Sequence, residues 1–323
     1  MVHRHVMGKE GMTLSVLAAS AMCAVAYFAG TPATLGGHMG ICLPSPNEWG
    51  IEPLWGWICN TALLAVMTIT LWFVNKECTF VQGSDTVLTG MFLIMASSNI
   101  WVSGTLTSSV LLALANLTCL FILFGCYRKQ NATQELFVIA TILALGSMIQ
   151  YAFIFMMPVY IIGAIMLKCF RFKVLVAFLM GIAAPYWIGI GLGITPLESF
   201  TMPTLSNMFD DYDSKSGLFF GLLNVAVTVL VGLILALNNG VRLYAGNTQR
   251  RLYNMVINVL GLVSAGCMIV DFNNMVAYMV TIYMITAVQL ANLFALWNIN
   301  RGWIWILVLS ALYVAGFVMM MTN

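Results

Sequence analysis

Long apolar stretches separated by short polar clusters run through almost the whole chain. Each stretch ends at a charged, glycine, proline or asparagine cluster, and a membrane-spanning helix needs about 20 mainly apolar residues. This pattern predicts eleven spanning segments, at 11–30, 54–75, 86–103, 107–126, 135–150, 151–167, 174–193, 217–237, 253–270, 275–297 and 302–321. Very few residues join 86–103 to 107–126 or 135–150 to 151–167. These two pairs are therefore predicted to be tight helical hairpins, whose shorter helices are candidates for re-entrant segments.

Composition supports the same interpretation. Of the 323 residues, 61% are hydrophobic and only 7% are charged, whereas soluble domains carry about 25% charged residues. A soluble protein of this size needs more charged side chains than this on its surface. Most of the surface must therefore face lipid. We predict an all-α polytopic transmembrane bundle that forms a single domain over 1–323, with membrane lipids around it. No basic run of the kind that binds nucleic acid is present.

The distribution of basic residues predicts the orientation. When the N-terminus is placed in the cytoplasm and the segments alternate, every lysine and arginine except Lys215 falls on the cytoplasmic side. Cytoplasmic loops carry such an excess. The predicted topology is therefore N-in and C-out.

The first segment also has features of a signal peptide. It has a basic start, an apolar stretch and Ala24-Val25-Ala26 as a cleavage-like site. Its apolar stretch is long, however, and a multispanning protein needs no separate signal. We expect it to be retained as a span.

Two longer loops, about 31–53 and 194–216, lie on the predicted extracytoplasmic side. In the first, Glu48 and Glu52 are candidate catalytic acid/base groups, with His38 as a candidate substrate ligand. In the second, three carboxylates crowd together and are candidate ligands of a divalent cation: Asp210, Asp211 and Asp213. A solvated acidic turn is the alternative for this cluster, and a surface role is the alternative for the first loop.

Polar side chains within the spans are the other candidates. Asn254 and Asn258 are four residues apart and share a helix face. They either bond between helices or line a substrate cavity. Asp271, at the outer end of its segment, is expected to be a solvated cap.

Basic residues close the cytoplasmic turns. Two roles are open for Arg128, Lys129 and Arg171. They contact the phosphate of a lipid head group or of a polyprenyl phosphate, or they serve only to orient the protein in the membrane.

The middle of the chain, about 86–192, resembles an uncharacterised family of multispanning inner-membrane proteins of Bacteroidetes-type bacteria. Short motifs carry this resemblance: Ser97-Ser98-Asn99, Tyr127-Arg128-Lys129, Gly146, Tyr151, Pro158, Phe170-Arg171-Phe172-Lys173 and Pro185-Tyr186. The resemblance implies a location in the bacterial inner membrane and no particular activity. The hairpin layout is also distantly similar to multispanning glycosyltransferases that use polyprenyl-phosphate sugars. Those enzymes keep a catalytic acid, usually aspartate, in the first outer loop, where this chain has Glu48 and Glu52.

Three functions remain open at this point. The first is a glycosyltransferase-like protein of envelope biogenesis that acts on a polyprenyl-phosphate-linked substrate at the outer face. The second is a transporter or flippase with a neutral, amide-lined cavity. The third is a non-catalytic scaffold of a membrane complex.

Overall fold

A computed structural model describes residues 9–29, 40–81, 85–195, 200, 216–243, 247–296 and 302–322. Over these residues the chain forms twelve helices: α1 (Lys9–Ala29), α2 (Pro53–Cys78), α3 (Asp85–Ser97), α4 (Ile100–Ser103), α5 (Ser108–Phe124), α6 (Thr133–Ile149), α7 (Ala152–Met166), α8 (Phe172–Gly191), α9 (Ser216–Leu243), α10 (Thr248–Val270), α11 (Met275–Leu296) and α12 (Gly302–Thr322).

The helical membrane bundle predicted from the sequence is confirmed. Seven helices are long and apolar enough to cross a membrane: α1, α2 and α8 to α12. The two predicted hairpins instead contain helices of only 13, 17, 17 and 15 residues, which are shorter than the ~20 residues that a crossing needs. The count of eleven spans and the N-in, C-out orientation therefore stay predictions. One prediction was wrong in detail, because 86–103 is not continuous and breaks between α3 and α4.

Helix α11 is the centre of the bundle. Within its apolar stretch 89% of the residues are buried, against 22% to 39% in the other six long helices. It packs against α3, α5, α9 and α10. Helices α1 and α2 lie outside α3 and α5, α12 lies outside α9, and α6, α7 and α8 form the remaining side. A helix that is buried all round has protein rather than lipid as its surroundings.

Close backbone approach accompanies the most extensive helix–helix contact, between α6 and α8. A Cβ at Gly181 on α8 would lie 2.5 Å from the carbonyl oxygen of Phe137 and 2.8 Å from the Cβ of Ala140 on α6. Only glycine fits this position without displacing a backbone. Small residues let membrane helices approach in this way, so that dispersion contacts replace contacts with lipid.

The break between α3 and α4 lies inside the protein. Ser98 and Asn99 are both fully buried, and the Asn99 side chain accepts a 3.0 Å hydrogen bond from the backbone N–H of Trp101 as the cap of α4. Non-helical backbone at membrane depth is tolerated only where protein or a water-filled cavity surrounds it. The central helix α11 supplies that protein.

Candidate functional site

The described part of the first predicted outer loop is held on the end of α6 by backbone hydrogen bonds. Ile41 N–H donates to the carbonyl of Ser147 at 3.1 Å, and Leu43 N–H donates to the carbonyl of Met148 at 2.9 Å. Gly40 permits this approach, because a Cβ there would overlap the carbonyl of Met148. The Ser147 hydroxyl also shares a 2.6 Å hydrogen bond with the Tyr186 hydroxyl of α8. The described part of this loop is therefore fixed over the α6–α7 and α8 side of the bundle.

Glu48 and Glu52 lie in the same loop, between its docked start and α2. Glu48 ends a single helical turn, Pro46–Glu48, and Glu52 directly precedes Pro53, the first residue of α2. Both side chains are exposed. Exposure at the predicted membrane boundary leaves both carboxylates accessible to a substrate, and their catalytic role stays a prediction.

A groove runs beside the helix ends that flank this loop. It lies between α1, α2 and α3, measures about 320 Å³, and is lined among others by Cys23, Trp57, Ala65 and Ser97. The indole N–H of Trp57 donates to the carbonyl of Cys23 at 2.9 Å and ties α1 to α2 there. Val16, also in the lining, is 45% exposed. The groove therefore opens on the exposed apolar surface of the bundle rather than into its core.

A second polar group lies at the same end of the bundle, around Asp271 in the connection from α10 to α11. Contrary to the expectation of a solvated cap, Asp271 is only 1% exposed. Its carboxylate accepts hydrogen bonds from Asn274 Nδ2 at 2.9 Å, from the Tyr151 hydroxyl at 3.4 Å and from the Tyr278 hydroxyl at 3.4 Å. Burial raises the pKa of this carboxyl above its ordinary value, while these hydrogen bonds oppose the rise.

Gln150 completes this group, which we name the outer polar cluster: Gln150, Tyr151, Asp271, Asn274 and Tyr278. Gln150 Nε2 donates to Asn274 Oδ1 at 2.9 Å, and Asn274 Nδ2 also donates to the Tyr151 hydroxyl. The cluster therefore joins the break between α6 and α7 to the start of α11. Sequence reasoning missed it as a unit. The sequence contained an indication of it. Amide residues follow Asp271, and Gln150 and Tyr151 lie at the boundary between two predicted segments, with both places on the predicted outer side.

The candidate substrate amides form another buried group, towards the opposite end of α11. Gln289 Nε2 donates to Asn254 Oδ1 and to Asn258 Oδ1, each at 2.7 Å. Asn239 Nδ2 donates to Gln289 Oε1 at 2.9 Å. Asn254 and Asn258 thus share a face, as their spacing predicted, and bond to the central helix. Asn258 also lines a groove of about 140 Å³ between α9, α10 and α11, so its predicted role in substrate binding remains a prediction.

The basic candidates lie in two neighbouring turns. The backbone N–H of Arg128 donates to the carbonyl of Leu167 at 3.1 Å, which brings the turn after α5 against the turn after α7. Lys129 forms an ion pair with Glu135, and this hydrogen-bonded partner raises the pKa of the lysine. Arg171 precedes α8 and is exposed. The turns form one basic face, while phosphate binding stays a prediction.

The remaining candidates lie outside the described residues: His38, Asp210, Asp211 and Asp213. Within the described ranges, no three or more His, Cys, Asp or Glu side chains come together as a metal site. The divalent cation predicted at the aspartates is untested.

No family model and no curated protein matches this chain. Among solved structures, its fold is similar to the crystal structure of the Archaeoglobus fulgidus oligosaccharyltransferase tethered with an acceptor peptide containing the NVT sequon via a disulfide bond. The two chains are 9% identical, with a TM-score of 0.47, and the match covers 98% of this chain and 55% of the other. At that TM-score the similarity carries no argument about activity, and the chain spans only about half of the neighbour's length.

Proposed function

We propose that this membrane protein acts on a lipid-linked sugar, or a similar lipid, at the extracytoplasmic face of the bacterial inner membrane. The single observation that carries the proposal is the groove between α1, α2 and α3. It opens on the exposed apolar surface of the bundle, which we expect to face lipid, and its lining reaches Trp57 near the start of α2. Glu52 directly precedes that helix. A substrate with its lipid tail in this groove has its head group beside the acidic loop.

In the proposed reaction, Glu48 or Glu52 is the general base. It takes the proton from an acceptor group as that group forms a bond to the anomeric carbon of the sugar. The bond from this carbon to the phosphate oxygen breaks, and polyprenyl phosphate leaves with the electron pair. Asp210, Asp211 and Asp213 would hold a divalent cation, which supplies positive charge to the phosphate.

Replacement of the two glutamates tests the catalytic part. Transfer of labelled sugar from a polyprenyl-phosphate donor to envelope glycan is measured in membranes that contain the full chain. Loss of a general base costs about 10²- to 10⁴-fold, so the combined Glu48→Gln and Glu52→Gln variant should lose at least a hundredfold. Glu77→Gln is the matched control, because Glu77 is an exposed glutamate at the other end of α2. Unchanged transfer in the double variant would contradict the assignment.

The groove is tested separately with Ala65→Phe. Ala65 lies in the lining, so a phenyl ring there should fill the groove and raise the half-saturating donor concentration about tenfold, with little change at saturation. Val66→Phe places the same ring at the next, exposed position, which is outside the groove lining. Equal effects of the two substitutions would exclude the groove as the tail site.

Asn258 and its groove favour a flippase as the second candidate. This side chain lies at the edge of the amide group and also faces a groove lined by Gly232, Gly261 and Ala265. Lipid flipping in reconstituted vesicles should then slow when Asn258→Leu removes the polar group. Unchanged flux at equal amounts of folded protein would count against this function.

A further inference from the structure

Asp271 is a buried acid with no basic partner in the described parts of the chain. Lys129 pairs instead with Glu135, at the opposite predicted side of the membrane. The groups that bond the Asp271 carboxylate are an amide and two hydroxyls. All three are neutral, so the carboxylate's negative charge has no counter-charge among them. Burial of an ionised carboxylate costs much free energy unless it is paired with a positive charge or protonated. An ionisable group buried in a membrane protein therefore suggests a functional site.

The hydrogen bonds that the Asp271 carboxylate accepts do not fully compensate its charge, so a further partner can bind there. Only the bond from Asn274, at 2.9 Å, has an ordinary length. The bonds from Tyr151 and Tyr278 are both 3.4 Å long, beyond the usual range of about 2.5–3.0 Å for a hydroxyl donor. Two hydroxyls held at this distance stabilise the charge weakly.

Gln150 provides an independent observation at the same place. It is 2% exposed, and its Nε2 bonds Asn274, the residue that also bonds Asp271. Its Oε1 is buried and has no hydrogen-bond partner among the residues that the structure describes. Rotating the Gln150 amide by 180° would exchange its oxygen and nitrogen. In either orientation one of these two atoms lacks a hydrogen-bond partner. An unsatisfied buried oxygen costs about 1–3 kcal/mol.

We propose that the outer polar cluster binds one monovalent metal cation, with the Asp271 carboxylate and Gln150 Oε1 as its principal ligands. The cation satisfies the free amide oxygen and neutralises the carboxylate together. The cluster offers only oxygen and amide groups, which suits a hard cation rather than a thiolate- or imidazole-binding metal. One carboxylate balances one positive charge, while a divalent ion would leave a buried charge uncompensated. Sodium and potassium have this chemistry in common.

The site shares no residue with the groove or with Glu48 and Glu52, and it does not depend on the proposed transfer reaction. A cation there would hold the α6–α7 break and the α10–α11 connection together beneath the docked loop. Its stabilising effect follows from its binding to the folded state alone.

Thermal unfolding of the purified full chain in detergent tests the proposal without any turnover. The melting temperature is measured while choline chloride is replaced stepwise by sodium, lithium or potassium chloride at constant ionic strength. With sodium or potassium we expect a saturable rise in the melting temperature, of about 5 °C at a hundred times the half-saturating concentration. Asp271→Asn should abolish the rise, and Gln150→Met should increase the half-saturating concentration about tenfold. Equilibrium binding of radioactive sodium or rubidium gives a second measurement, with one site per chain expected.

Asp85→Asn is the matched control, because Asp85 also accepts a hydrogen bond from an asparagine, Asn75, at 2.7 Å, but is only partly buried. It should keep the full cation effect. No saturable effect of any alkali cation on the wild type would overturn the proposal. So would a cation effect that persists in full in Asp271→Asn.

Discussion

Asn99 donates a 3.0 Å hydrogen bond to the hydroxyl of Tyr283, and this bond joins the break between α3 and α4 to the central helix. Tyr283 in turn donates to Asn224 Oδ1 of α9 at 3.4 Å. Both bonded partners lie far from Tyr283 in the sequence, so the central helix organises the bundle through polar groups as well as through apolar contacts. The same principle appears at the outer polar cluster and at the group around Gln289.

Tyr283→Phe should destabilise the protein by about 1–2 kcal/mol. The substitution leaves Asn99 Nδ2 with only the Met279 sulfur, at 3.6 Å, and removes the donor to Asn224. Unfolding of the purified protein in detergent measures the loss. Tyr27→Phe is the control, because the Tyr27 hydroxyl makes no hydrogen bond within the described ranges and this residue is only half-buried. Equal stability of the two variants would contradict the role assigned to this bond.

Gln289→Leu should cost more, about 2–3 kcal/mol. It removes the shared partner of Asn239, Asn254 and Asn258 and leaves several buried amide groups unsatisfied. The same unfolding measurement applies, with Gln134→Leu as the control at an exposed position of α6. A loss below about 0.5 kcal/mol would show that these amides find other partners readily.

Gly181→Ala should destabilise the α6–α8 contact by about 1–3 kcal/mol, because its methyl group would meet the backbone of Phe137. Gly191→Ala, near the end of the same helix, has open space around the added carbon. It should be neutral or slightly stabilising. Melting temperatures of both variants check the difference, and an equal shift would argue against close packing at Gly181.

The predicted orientation is tested by labelling with a membrane-impermeant maleimide. All eight native cysteines are first replaced by alanine. Ile51→Cys, in the first outer loop, should react in intact spheroplasts, whereas Asn131→Cys, in the turn between α5 and α6, should react only after lysis. The reverse pattern would invert the N-in, C-out topology.

The stability should depend on pH through Asp271. Its pKa is raised in the folded protein, so in choline buffer the unfolded chain ionises first as the pH rises above about 4. The free energy of unfolding of the wild type should then fall relative to Asp271→Asn until the folded carboxyl also ionises. Tyr151, Tyr278 and the Cys267 thiol are the other titratable groups that face this carboxyl. If the free energy of unfolding of the wild type instead rose with pH relative to Asp271→Asn, the pKa of Asp271 would be lowered in the folded protein.

The positions of the helices could be predicted from the sequence because each depends on local composition. Segment 275–297, for example, was expected from its apolar run, and α11 occupies Met275–Leu296. Asn254 and Asn258 were placed on one face because helical spacing alone determines that. The hydrophobic pattern alone predicted one continuous segment across Ser98 and Asn99, since the surrounding residues are apolar enough to continue a helix. The interruption is stabilised by the Asn99 cap of α4 and by buried contacts with α11, which that pattern does not reveal.

The sequence by itself determined that this chain is a helical membrane protein, since almost every stretch of it prefers lipid to water. It also determined which residues are too polar to be left in lipid without partners. Only the tertiary structure decided that α11 is the buried centre and that Asp271 is enclosed rather than solvated. The partners of Asp271 include Tyr151, 120 residues earlier in the chain. Burial of a charge depends on which distant side chains surround it, and local hydrophobicity carries no information about that arrangement.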